Sequence, residues 1–195
     1  TGQDLDAMAM QVLGYVRQGG GLAALHCASF CFRNSDAYIA LVGAQFKSHG
    51  TGTFRTRLLQ PEHPVTQGFK GFESWDETYV HHRHNPDGRT VLEQRDEEPW
   101  TWIRTEGKGR IFYTAWGHDD RTWSNPGFHD LVERGLRYAA GQSVPEALAQ
   151  RPLVPRLERF DQSGIPYYAP GQRSQGDGVW AQMQKPLTPA DSMKR

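Results

Sequence analysis

An α/β fold, with helices laid on the faces of a sheet, is predicted by three features of this sequence. Leu5, Ala9, Val12, Leu13 and Val16 recur at helical spacing near the start. Short strand-like runs then follow one another from Leu22 to Trp116. A second amphipathic pattern closes the region after Asn125. Helix, strand, helix, several strands and a closing helix is the order of helices packed on a sheet.

The first helix stops at Gly19-Gly20-Gly21, where glycine accepts a left-handed cap conformation without steric cost. Leu22–Leu25 reads as a buried strand ending at His26. A second helix is predicted from Asp36 to Phe46, with Ile39, Leu41, Val42 and Phe46 inward. Thr53 to Leu59 alternates polar and apolar, as a half-exposed strand does. Further strands are expected at 74–80, 90–95, 100–104 and 110–116, the last two joined as a hairpin by Gly107-Lys108-Gly109. Asn125 caps the final helix with Pro126 at its first position. Phe128, Leu131, Val132, Leu136 and Ala139 form its apolar face, and Gly141 ends it.

Beyond Gly141 the pattern changes. Seven of the 12 prolines lie between Ser143 and Arg195, and periodicity fades. The expected organisation is an α/β domain over 1–141 and an extended proline-rich tail over 142–195. Its Tyr167, Tyr168 and Trp180 would serve as aromatic anchors on a partner surface.

Composition narrows the function. A chain of 195 residues buries enough surface to hold a core without disulfide or metal staples. The 22 basic and 22 acidic side chains cancel, which argues against a nucleic-acid partner. No apolar run is long enough to span a membrane. Two cysteines do not make a disulfide scaffold. Neither a P-loop nor a dinucleotide-binding glycine fingerprint is present. The first residue is Thr1, which reads as a processed chain or a piece of a longer one.

The candidate chemistry centres on histidines. His26 falls where an apolar strand meets a loop, the position at which open α/β sheets gather ligands. It reads either as a functional group or as a structural hydrogen-bonding one. His118 follows the strand ending at Trp116 and is in the same context. The two converge only if their strands are neighbours. Asp76 and Glu77 lie between them in sequence, and adjacent strand residues point to opposite faces, so one carboxylate faces a given pocket. A carboxylate with a histidine forms an acid–base pair for proton transfer. Alternatively, these carboxylates are a solvated Asp and a loop tie.

His81, His82 and His84 invite a metal reading, but Asn85-Pro86-Asp87-Gly88 is turn chemistry that places them at an exposed rim. A divalent-metal site built from His26, His49 and His118 with Glu77 is the more attractive grouping. Cys27 and Cys31 share a face if helical, where a disulfide would be strained. Cys27 is read as a buried, inert residue in preference to an elbow nucleophile.

Four segments resemble the trehalose-utilisation (ThuA-like) family. They are Gly19-Gly20-Gly21-Leu22 through Leu25-His26, His63–Phe69, Asp76-Glu77-Thr78-Tyr79, and Gly107 through His118. The resemblance implies a flavodoxin-like sheet of the class I amidotransferase type, without that class's catalytic cysteine, and a link to processing of disaccharides or 3-keto sugars. It carries His26, Glu77, His118 and Asp76 into the pocket as catalytic candidates. The resemblance implies strands ahead of the first helix, which a chain read from Thr1 is expected to be missing. The stretch Met183–Lys194 resembles the linker to a β-propeller in large secreted relatives. Two roles follow: a sugar-processing module, or a non-catalytic accessory subunit docked through its surface and tail on a larger, membrane-associated assembly. The resemblance to large secreted relatives implies a place outside the cytoplasm, in the periplasm or envelope, with the cytoplasm as the alternative.

Overall fold

The structure is a computed structural model and describes residues 2–150, with side chains from Ala7 onward. The first helix, α1 (Gly2–Arg17), buries Ala9, Leu13 and Val16. Strand β1 (Gly21–Leu25) follows it directly and leads into a 3₁₀ turn, His26–Phe30.

Helix α2 (Asp36–Val42) starts at Ser35, whose hydroxyl accepts from the Tyr38 N–H. It is shorter than the spacing predicts. Gly43 adopts φ +106 and donates its N–H to the Ile39 carbonyl at 2.9 Å, closing the helix. Phe46, expected inside the helix, therefore lies in strand β2 (Gln45–Arg55). The strand expected at 53–59 is split at Thr56 between the end of β2 and β3 (Arg57–Leu58).

Strands β4 (Glu73–His82), β5 (Arg89–Arg95), β6 (Glu98–Glu106) and β7 (Gly109–Thr114) fall where alternation placed them. The turn between β6 and β7 pairs Glu106 with Gly109, as a tight hairpin does. A short helix, α3 (Asp120–Trp123), precedes α4 (Pro126–Ala139), whose cap Asn125 accepts from the Gly127 N–H. Leu136, expected on the inner face of α4, is exposed.

The start of the expected tail is ordered into α5 (Val144–Ala149), with Pro145 in its first turn and Val144 buried in the core. Proline is no obstacle there, because a first-turn N–H has no partner within the helix. Tyr167, Tyr168, Trp180 and the Met183–Lys194 stretch lie outside the described residues. Among the described residues no helix is long and apolar enough to cross a membrane.

The strands form two sheets. Five are ordered β1-β7-β6-β5-β3, with β1 parallel to β7 and the other pairs antiparallel. The others, β2 and β4, form a long antiparallel ribbon from Gln45↔His82 to Arg55↔Glu73. Helices cover both faces of the larger sheet. On β7, Ile111 packs with Leu13, Val16 and Leu41 of α1 and α2. Its neighbour Phe112 points the other way, onto α4. That contact is close enough to require glycine, since a Cβ at Gly135 would sit 2.3 Å from the Phe112 ring.

The core beneath is aromatic, with Trp100, Trp102, Trp116, Phe112 and Phe128 fully buried. Within it lies one acid. Glu93 is fully buried and accepts from Thr56 at 2.6 Å and from Thr101 at 2.5 Å. Burial pushes its carboxyl pKa up, more than the two hydroxyls lower it. The folded chain therefore holds this proton to a higher pH than the unfolded chain does. Its contribution to stability is complete below the unfolded carboxyl pKa and is lost as pH rises through the folded value. Glu93→Gln should thus flatten the fall of unfolding free energy above about pH 5. Urea titrations of both proteins across pH 4–8 check this, and parallel curves would refute it.

Candidate functional site

The parallel pairing of β1 with β7, Leu25 opposite Thr114, sends both strands out at the same edge of the sheet. Their carboxyl ends carry His26 and the Ala115–His118 loop. The two histidines therefore converge, with ring centroids 5.6 Å apart. His26 holds φ +47, an uncommon conformation for a side-chain-bearing residue. Its Nδ1 is 2.8 Å from the Ala115 carbonyl, so that nitrogen carries the proton and donates it. Nε2 is left with its lone pair, facing the Tyr79 hydroxyl at 3.1 Å and Glu77 Oε2 at 3.3 Å.

Glu77 and Tyr79 reach this point together because alternate residues of β4 share a face. The other oxygen of Glu77, Oε1, lies 3.2 Å from His118 Nδ1 and 3.5 Å from His49 Nε2. One carboxylate thus stands among three imidazoles. His26 and Glu77 are largely buried, whereas His49 and His118 are exposed at the rim.

Burial lowers the His26 pKa. The Ala115 bond and the charges of Asp76 and Glu77 act the other way without cancelling it. Burial thus favours the neutral ring. Burial pushes the Tyr79 hydroxyl well above its ordinary range, so it stays protonated and donates to His26 Nε2.

Asp76 takes a different part. It is fully buried and points to the other face of β4. It accepts from the N–H groups of Gly117 (2.8 Å) and His118 (3.2 Å) and from the Thr122 hydroxyl (2.8 Å). Asp76 therefore holds the loop that presents His118, while Glu77 faces the pocket. Tyr79 and Thr122 were not singled out from the sequence. The i, i+2 relation of Tyr79 to Glu77 was the available signal for Tyr79, and nothing local marks Thr122.

The remaining candidates do not gather here. His81 is buried rather than at a rim, with Nδ1 2.9 Å from Glu98 and Nε2 3.0 Å from the Tyr113 hydroxyl. His82 and His84 are exposed, and the positive φ of Arg83 between them breaks the strand alternation that would align them. Cys27 and Cys31 are free thiols and are exposed, not buried, because the 3₁₀ turn carries them outward.

Among the described residues, His26, Glu77 and His118 are the group able to hold a metal ion, with one ligand atom from each within 4.8 Å of the others. Two imidazoles and one carboxylate leave coordination positions open, as catalytic sites do and closed structural sites do not. With Nδ1 committed to the Ala115 carbonyl, Nε2 is the His26 nitrogen that would serve as a ligand, in exchange for its bond to Tyr79. The residues present fit a divalent cation.

An α/β sheet with its polar cluster beyond the carboxyl ends of parallel strands is a fold of the flavodoxin-like, class I amidotransferase type. The family model for trehalose utilisation, ThuA, matches residues 1–139, and the chain belongs to that family. Among solved structures it is similar to a ThuA-like protein from Parabacteroides merdae, with a TM-score of 0.63 and 23% identity over 69% of this chain and 65% of that one. A ThuA-like protein from Bacteroides uniformis gives a TM-score of 0.58 and 18% identity over 69% and 64%. A cytoplasmic protein from Salmonella typhimurium gives 0.51 and 17% over 67% and 59%. These likenesses show the fold, and the chain spans less than two thirds of each of these structures. No curated protein matches it.

Proposed function

We propose that the His26–Glu77–His118 centre carries out proton transfer on a sugar or keto-sugar substrate and takes a divalent cation to do so. The observation that carries this reading is the convergence of one ligand atom from each of the three residues within 4.8 Å. Membership of the trehalose-utilisation family supports the substrate class. Glu77 is placed to accept a proton from a substrate hydroxyl or from a carbon beside a carbonyl. His118, exposed at the rim, would return a proton to the substrate carbon or oxygen that completes the transfer. Tyr79 and the Ala115 carbonyl fix the orientation of His26 from opposite sides of its ring. A bound cation would supply polarisation of a substrate oxygen.

The test is His118→Ala, a change at an exposed side chain that the fold should tolerate. Calorimetric titration with Zn²⁺ or Mn²⁺ should show one site in the parent chain and an affinity about 10-fold or more weaker in the variant. Turnover of keto-disaccharides should fall with it while the unfolding midpoint stays put. Unchanged turnover in His118→Ala would remove the residue from the reaction.

A further inference from the structure

Beside this centre lies an open cavity of about 660 Å³, walled by Phe30, Phe46, Arg33, Asn34, Gln45 and His82. The size suits a small-molecule ligand. Its apolar part is unusual for a surface: Phe30 is 43% exposed and meets Phe46 edge-to-face, with ring centroids 5.1 Å apart. Its polar part is only partly engaged. The Arg33 guanidinium sits 4.5 Å over the Phe30 ring and has no acidic partner among the described residues. Asn34 makes no side-chain hydrogen bond among them either. Gln45, by contrast, is fixed, donating to the Arg33 carbonyl at 3.1 Å and accepting from Arg83 at 3.3 Å. It therefore holds the backbone that presents Arg33 and Asn34.

The cavity wall is packed against the centre through Tyr79. Phe46 packs 4.5 Å from the Tyr79 ring, and Tyr79 stacks 4.4 Å from His26. The 3₁₀ turn begins at His26 in the centre and ends at Phe30 in the cavity wall.

We infer that this cavity is a sugar-binding subsite, holding the ring of the substrate next to the one that reacts. The inference rests on reading the neighbouring centre as sugar-processing. A pyranose has one face of C–H groups and a rim of hydroxyls. Phe30 and Phe46 match the face, and Arg33 and Asn34 match the rim. A wholly apolar ligand would strip water from Arg33 and Asn34 and give them no partner. An anionic ligand would find one unpaired cation there, since the nearby Arg83 already pairs with Asp36.

The experiment is calorimetric titration of the full chain with trehalose, a disaccharide without a free carbonyl, using the parent, Phe30→Ala, Arg33→Ala and Glu77→Gln. Phe30 and Arg33 are exposed, and unchanged thermal midpoints confirm that the three variants fold. Phe30→Ala and Arg33→Ala should each weaken trehalose binding about 5- to 10-fold and leave Zn²⁺ affinity unchanged. Glu77→Gln should do the reverse. Trehalose binding equal to the parent in both cavity variants, or no trehalose binding by the parent, overturns the subsite. Failure of the centre itself registers separately, as Zn²⁺ affinity and turnover insensitive to Glu77→Gln.

Discussion

Glu77→Gln should lower turnover by about 10²- to 10⁴-fold and cation affinity by about 100-fold or more, with the fold intact. The substitution keeps the shape of the side chain and removes its charge. That charge is what His26 Nε2 and His118 Nδ1 face at 3.3 and 3.2 Å, and what His49 approaches at 3.5 Å. An amide can still bond to one imidazole, but it is a poor base and a weak ligand. Because glutamine keeps the shape and most of the hydrogen-bonding capacity of Glu77, unfolding free energy should change by less than about 1 kcal/mol. Steady-state assays, calorimetry and urea unfolding on the same preparation read all three effects. A variant with full cation affinity would show that the carboxylate is no ligand. One with full turnover would show that it is no base.

Asp76→Ala should act in the opposite order, on the fold first. Removing the carboxylate leaves the N–H groups of Gly117 and His118 and the Thr122 hydroxyl without their charged acceptor at a fully buried position. Bonds to charged groups contribute about 1.5–3 kcal/mol each and do not add simply. The expected loss is about 3–5 kcal/mol, or a fall in Tm on the order of 10 °C for a chain of this size. Asp76→Asn retains one accepting oxygen and should recover part of that loss. Differential scanning calorimetry of both variants checks the order. A midpoint in Asp76→Ala within about 2 °C of the parent would mean the loop holds without this acceptor.

How much of this was legible beforehand depended on whether the signal was local. The Asn125-Pro126 cap, the Gly107-Lys108 turn and the alternation of β4 to β7 depend on near neighbours in the chain, and each is found where expected. The end of α2 was missed because Ile39, Leu41, Val42 and Phe46 continue a helical phase that only the left-handed backbone at Gly43 interrupts. The pairing of β2 with β4 is a long-range choice with no mark on either strand. The exposure of Cys27 and Cys31 follows from a 3₁₀ turn that hydrophobicity does not announce.

For the site, the candidate residues were readable one at a time and their meeting was not. His26 and His118 meet because β1 lies beside β7. The opposite facing of Asp76 and Glu77 followed from strand geometry, but not which of them would look inward. Glu93 carries no sign in sequence that two threonines converge on it.

The division of labour within the Asp76-Glu77 dipeptide also has a genetic signature. Alleles that change residue 76 should behave as conditional ones, permissive in the cold and silent when warm, with partial rescue by suppressors that raise stability elsewhere. Alleles of residue 77 should be null at every temperature, and no such suppressor should restore them. Two adjacent codons would thus fall into different phenotypic classes, sorted by which side of one strand each side chain faces.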